Sequence, residues 1–267
     1  MSRGLLDTQT LNDIHTRVRP LGDLRSRALA LAPDFLAPKF DPMSLVPVAA
    51  VCFHDCTEMV AQSRYALFEH FAHREYYRES ETNGSAITAT FFEKYYLDDA
   101  ALRLYAGAEH LANAVVFMLN LSDDALLPYQ EKYTSQHTKV GMFLKRERAD
   151  WMLTRTFVEL VARPEWQFTM TYRNRWVHEQ PPTIGGLGIQ YRRVRPWKVS
   201  SDGSKKFLAF GAGDPPEFDI ATVTLNVRVA HELFHAAVDK ALDEYYAILA
   251  ANGVEYRDGK ISMRLFE

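Results

Sequence analysis

Apolar positions recur at helical rather than strand spacing along most of the chain. Over 46–78, Val48, Val51, Met59, Ala66, Leu67 and Phe71 fall nearer a period of 3.6 than of 2, with Pro47 tolerable in the first turn. A second stripe of Leu102, Tyr105, Ala108, Ala112, Val115 and Met118 predicts a helix over 98–121. Helical pattern continues over 135–163, broken near Glu147. Pro164 suits the first turn of a further helix, which must end near His178 because Pro181 and Pro182 cannot continue it. Val223, Val227, Ala230, Phe234, Ala237, Ala241, Tyr245 and Ile248 form the seam of a final long helix over 219–251, with Asp219 as its cap. The alternation in TVTLNVRV also fits a strand at 222–229, so the start of that helix is open.

The remaining segments read differently. Residues 1–43 form a polar N-terminal extension with short helical pieces cut by Pro20, Pro33, Pro38 and Pro42. SETNGS at 80–85 is a loop. Residues 183–214 hold six of the 13 glycines, a density that marks turns. Within them, IQYRRVRPWKV and KKFLAFG flank a Ser-Asp-Gly turn and read as a β-hairpin. The expected fold is mainly α. It is one domain over 1–267, a helical core at 45–182 followed by a β-hairpin insertion at 183–214 and the final helix.

Composition narrows the class. The chain is 47% hydrophobic and 24% charged, which supports one sizeable core and excludes a largely disordered protein. Two cysteines cannot build a disulfide framework. The apolar runs are too short for a membrane span, and MSRGLLDTQT lacks the apolar stretch of a signal peptide, so a cytoplasmic protein without membrane contact is expected. With a net charge of −3, any polyanion must be held by a local basic patch.

Two short motifs carry candidate chemistry, and chance predicts each about 0.02 times in a chain of this composition, so counting does not choose between them. One is His231-Glu232-Leu233-Phe234-His235. Histidines at i and i+4 share a helix face and bind zinc in metallopeptidases, with the Glu as base. A third ligand is needed. Asp239 lies on the same face, while Glu255 sits in NGVEYRDG, a turn or short strand. A zinc metallopeptidase is therefore an alternative, beside the plainer reading that both histidines pack around Phe234.

The other motif is Arg173-Asn174-Arg175-Trp176-Val177-His178 at a helix end. Arg offers a permanently charged planar fork for phosphate, and His moves protons near neutral pH. Together they suit RNA cleavage without metal: the imidazole takes the ribose 2′-OH proton or protonates the leaving 5′-oxygen. Five residues span about 140° around an ideal helix. Convergence then needs a loosened helix end or a second copy of the motif across a dimer. Asn174 would either orient the Arg or hold the local backbone.

YRNRWVHEQPP, late in a helical chain, resembles the signature of the HEPN superfamily (higher eukaryotes and prokaryotes nucleotide-binding domains). The resemblance spans about 45–250 in architecture and one short motif in sequence. It implies a helical bundle that dimerises and a metal-independent endoribonuclease with Arg173, Asn174 and His178 at its site. It also implies a role in prokaryotic defence, or as a toxin with an antitoxin partner. Gln180 stands where some HEPN toxins carry a Tyr that a partner enzyme modifies, so that route of control is not expected. A non-catalytic RNA- or nucleotide-binding module is a further alternative.

Basic residues extend the RNA reading. Lys145, Arg146 and Arg148 form one cluster, with Glu147 among them. Arg192, Arg193, Arg195 and Lys198 form another, interleaved with Tyr191 and Trp197 for stacking. Cys52, His54 and Cys56 are too continuous with a helix to make a metal knuckle and read as reduced core positions. Asp98-Asp99 and Asp123-Asp124 read as helix starts.

Overall fold

A computed structural model describes residues 6–79, 86–179, 181–187, 197–208, 215–257 and 260–263. The chain is mainly helical. Three short helices, α1 (Thr8–Arg17), α2 (Leu24–Ala30) and α3 (Pro33–Leu36), precede two long ones, α4 (Ala49–Glu79) and α5 (Ala86–Met118). Next come α6 (Leu127–Gln130), α7 (Gln136–Glu147), α8 (Met152–Ala162), α9 (Pro164–His178) and the long α10 (Ile220–Ala251). Among the described residues, strand is confined to two antiparallel pairs. β1 (Trp197–Val199) pairs with β2 (Lys206–Leu208), and β3 (Val254–Arg257) with β4 (Lys260–Met263). The β1–β2 turn carries Gly203 at φ +73°, a conformation that glycine adopts without a Cβ penalty.

The core forms where α4, α5 and α10 meet, with α8 and α9 packed on α10. Phe53, Leu67, Leu104, Leu111, Phe234 and Tyr245 are all fully or almost fully enclosed there. Gly107 permits the closest approach. A Cβ at that position would lie 2.7 Å from Phe234 Cε1 and 3.1 Å from Met59 Cβ, so the Phe234 ring rests on the α5 backbone. The N-terminal segment is polar overall, and part of its apolar minority turns inward, while Leu29, Phe35 and Met43 stay exposed. Ile14, Val18, Leu24, Leu31 and Leu36 are buried, and Arg27 of α2 spans Asp239 (2.6 Å) and Asp243 (2.7 Å) on α10. Cys52 and Cys56 are free and buried, and burial pushes the Cys52 thiol up to about 11.

Two expectations are corrected, and one open point is decided. The helix placed at 98–121 begins twelve residues earlier, at Ala86. Its first turns are rich in β-branched and aromatic residues, but Phe92 and Tyr96 stack on His73 of α4 at 4.9 and 5.1 Å, so tertiary contact overrides weak local propensity. Asp98 is accordingly no helix start. It lies buried in mid-helix between Lys94 and Tyr172. Segment 222–229 is helix, not strand: Asp219 accepts from the Thr222 amide at 2.6 Å, Thr224 Oγ1 donates to the Ile220 carbonyl, and Val223, Val227, Ala230 and His231 are buried at helical spacing. No helix among the described residues is long and apolar enough to cross a membrane.

Candidate functional site

One face of α5 organises the site. Asp98, Tyr105 and Glu109 are seven and four residues apart, so they lie within about 40° of one another around the helix. Each takes a partner from another element. Asp98 accepts a 2.5 Å hydrogen bond from the Tyr172 hydroxyl and pins α9 to α5. Burial pushes the Asp98 carboxyl up, against the opposing pull of Lys94, and pushes the Tyr172 phenol well up. Tyr105 lies beneath Arg173, whose guanidinium carbon stands 3.8 Å from the ring centroid, a cation–π contact. Glu109 reaches α7. Its carboxylate accepts from the Gln136 amide (3.0 Å), the His137 amide (3.3 Å) and His137 Nδ1 (2.6 Å). Burial alone raises the Glu109 carboxyl, but these donors outweigh it and hold it below the usual range.

α9 is set by its ends. Pro164 starts it, Trp166 and Met170 face inward, and its last amide bond runs from Glu179 N to the Arg175 carbonyl before the prolines. Arg175 is drawn away from the site by Glu217 at 2.6 Å. Arg173 is not. Its Nη1 donates to Asn174 Oδ1 at 2.9 Å and meets His178 Nε2 at 3.3 Å. A guanidinium only donates, so Nε2 is the acceptor in this contact. Arg173 and His178 therefore meet within one chain, with the helix intact to its end. The length of the arginine side chain bridges the angular offset. Asn174 orients the guanidinium.

Arg173 has no carboxylate partner among the described residues, and its Nε is buried without a hydrogen bond. It rests against Tyr105, Asn174 and His178, three residues of the wall of a cavity of about 700 Å³. Ser135, His137 and Trp166 also line that cavity. A half-buried cation without a protein counter-charge, next to an imidazole and a cavity, fits a phosphate.

The other expected site residues lie elsewhere. Lys145 and Arg146 are exposed in the last turn of α7, the end opposite the cavity, and Arg146 pairs with Glu147 at 2.9 Å. Arg192, Arg193 and Arg195 lie outside the described residues. Lys198 falls in β1, opposite Phe207. His231 and His235 are buried on α10, and Glu232 faces outward toward Arg228. Neither nitrogen of His231 has a hydrogen-bond partner among the described residues, and burial, with the nearby charges of His235, Arg64 and Arg19, takes its pKa down to about 3. His235 Nε2 donates to the Leu21 carbonyl at 3.4 Å. Asp239 is committed to Arg27, and Glu255 lies in β3, beyond the far end of α10. No group of three or more potential ligands occurs among the described residues. Two neighbouring arginines and a missing third ligand do not fit a zinc dication.

Tyr105, Glu109 and His137 were not singled out as site residues by sequence. Their only local signal is a Glu four residues after a Tyr on an otherwise apolar stripe. No protein-family model, curated protein or solved structure matches the chain.

Proposed function

We propose that the protein is a metal-independent endoribonuclease of HEPN type, with Arg173 and His178 at its centre. The observation that carries this reading is the 3.3 Å contact of His178 with a guanidinium that lacks a carboxylate partner among the described residues, at the wall of a large cavity. In this reading Arg173 takes the scissile phosphate, Asn174 holds Arg173 in place, and His178 transfers a proton. Tyr105 fixes the guanidinium from beneath while leaving its charge unneutralised. Lys145 and Arg146 stand about 14 Å along α7 from its first turn, so they would attract the RNA backbone rather than grip the cut site. Homodimerisation and an antitoxin partner belong to the HEPN resemblance and are part of the same proposal.

The test is cleavage of total and transfer RNA in excess EDTA, comparing wild type with His178→Ala. Cleavage that survives EDTA and disappears in the variant is the expected result. Equal cleavage by both proteins removes His178 from the mechanism. Binding of RNA without turnover by wild type selects the non-catalytic module instead.

A further inference from the structure

The cavity holds a second histidine built for proton transfer. His137 is almost fully buried, yet it is one of the residues that line the cavity. Tyr105 meets it edge-on at 5.7 Å and Trp166 at 6.0 Å, which fixes the plane of the ring. The bond to Glu109 fixes the tautomer. A carboxylate that already accepts two backbone amides can only accept from Nδ1, so the Nδ1–H form is imposed. Nε2 then carries the lone pair and has no hydrogen-bond partner among the described residues. The Arg173 guanidinium and the His137 ring both rest against Tyr105, at 3.8 and 5.7 Å from its centroid, which puts them no more than about 9.5 Å apart.

We propose that His137 is a second catalytic residue, the general base of RNA cleavage, and that Glu109 is its positioning residue. This rests on the ribonuclease reading above. The ribose 2′-oxygen attacks the adjoining phosphorus and its proton passes to His137 Nε2. The P–O5′ bond breaks, and the departing 5′-oxygen takes a proton from His178. The arriving phosphate accepts the Nη1–H that Arg173 otherwise directs at His178, which frees the imidazole for that transfer. One proton is taken and one given, and the products are a 2′,3′-cyclic phosphate and a 5′-hydroxyl. A base held by a carboxylate and an acid beside the phosphate-binding arginine divide the work between two imidazoles.

Single-turnover cleavage of a transfer RNA pool in EDTA, followed across about pH 5 to 9, tests this. The wild-type profile is bell-shaped. His137→Gln lowers the rate about 10²- to 10⁴-fold and removes the acid limb, while His178→Gln removes the alkaline limb. Glu109→Gln keeps one oxygen, enough for the His137 amide and Nδ1 that share Oε1, but gives up the acceptor for the Gln136 amide and takes away the charge beneath the imidazole. It moves the acid limb to lower pH and leaves the alkaline limb in place, a displacement that loss of a purely structural contact does not produce. Thermal melts confirm that each variant is folded, and Glu109→Gln carries the test if His137→Gln is not. A folded His137→Gln within threefold of wild type and with both limbs intact overturns the assignment of His137 and leaves the ribonuclease reading standing on His178. Wild-type cleavage that EDTA abolishes, or that His178→Gln does not change, overturns the reading itself and this inference with it.

Discussion

Two regions of this molecule carry paired histidines, and they differ in almost every physical respect. On α10, His231 and His235 are neighbours in sequence, share a helix face and stand with ring centroids 6.5 Å apart. Both are buried in the core, and His231 finds no hydrogen-bond partner for either nitrogen among the described residues. Around the cavity, His137 and His178 come from different helices, 41 residues apart in the chain. Each has a charged partner within hydrogen-bond range, Glu109 for one and Arg173 for the other. Regular spacing delivers proximity. Chemistry also needs an opening and charged partners at hydrogen-bond distance, and the second region has both. The two are mechanically joined: Phe234, between the α10 histidines, stacks on Trp166 at 5.7 Å, and Trp166 in turn meets His137.

The sharpest way to break this contrast is to disable each region in turn and read RNA cleavage. Arg173→Ala removes the phosphate fork and lowers the rate about 10³-fold, the scale of losing a charge-stabilising donor. Arg173→Lys recovers little, since lysine supplies neither the fork nor the flat face that lies on Tyr105. Glu232→Gln, which would silence a zinc peptidase, leaves cleavage unchanged. A loss of cleavage in Glu232→Gln comparable to that in Arg173→Ala would invert the assignment of the two regions.

The next effect is on stability. Phe234→Ala empties the space where α5 comes closest to α10 and should destabilise the fold by about 3–5 kcal/mol in denaturant titration. Gly107→Ala attacks the same contact from the other side. Its Cβ at 2.7 Å from the ring forces a shift worth about 1–3 kcal/mol. Loss of the Phe234 ring also loosens Trp166, so cleavage falls modestly even at temperatures where the variant is folded. If Phe234→Ala unfolds no more easily than wild type, the α10 motif is not the packing element described here.

Much of the helical framework is legible in the sequence because an amphipathic helix writes its burial at a 3.6-residue period. The stops near Glu147 and His178 and the cap at Asp219 follow from local chemistry alone. The misplaced start of α5 and the ambiguous start of α10 share a cause. Both stretches are rich in β-branched or aromatic residues, whose local preference loses to stacking on His73 in one case and to Asp219 and Thr224 hydrogen bonds in the other. At the site, Arg173, Asn174 and His178 are readable because they fall within six consecutive positions of one motif. Glu109 and His137 are not. Ser135 stands at the N-cap of α7, but its hydroxyl bonds Thr138, and the amide of Gln136 is taken by a carboxylate that arrives from α5. No local pattern encodes a partner that only packing brings near.

The smallest effect separates the two histidine regions by pH rather than by activity. His231 titrates near 6.5 in an unfolded chain and about 3 in the fold. Between those values the unfolded state binds a proton that the native state refuses, so its contribution destabilises the fold as pH falls, by up to about 1.4 kcal/mol per unit. Above about pH 6.5 both states are neutral there, and the contribution vanishes. His231→Leu keeps the volume, removes two unpaired nitrogens and cancels this slope. Its stability should match or slightly exceed wild type at pH 7.5 and exceed it by a further 2 kcal/mol or so, roughly, at pH 5. Part of the wild-type slope remains in the variant, because burial also lowers His70, to about 4, and His235. His178→Ala, at an exposed helix end, should shift the stability curve by no more than about 0.5 kcal/mol at either pH. Urea titrations of the three proteins at the two pH values decide the matter. A His231→Leu protein that gains nothing on acidification would mean that the imidazole reaches water or a partner in solution, and the distinction between a sealed pair and a working pair would fail at its first member.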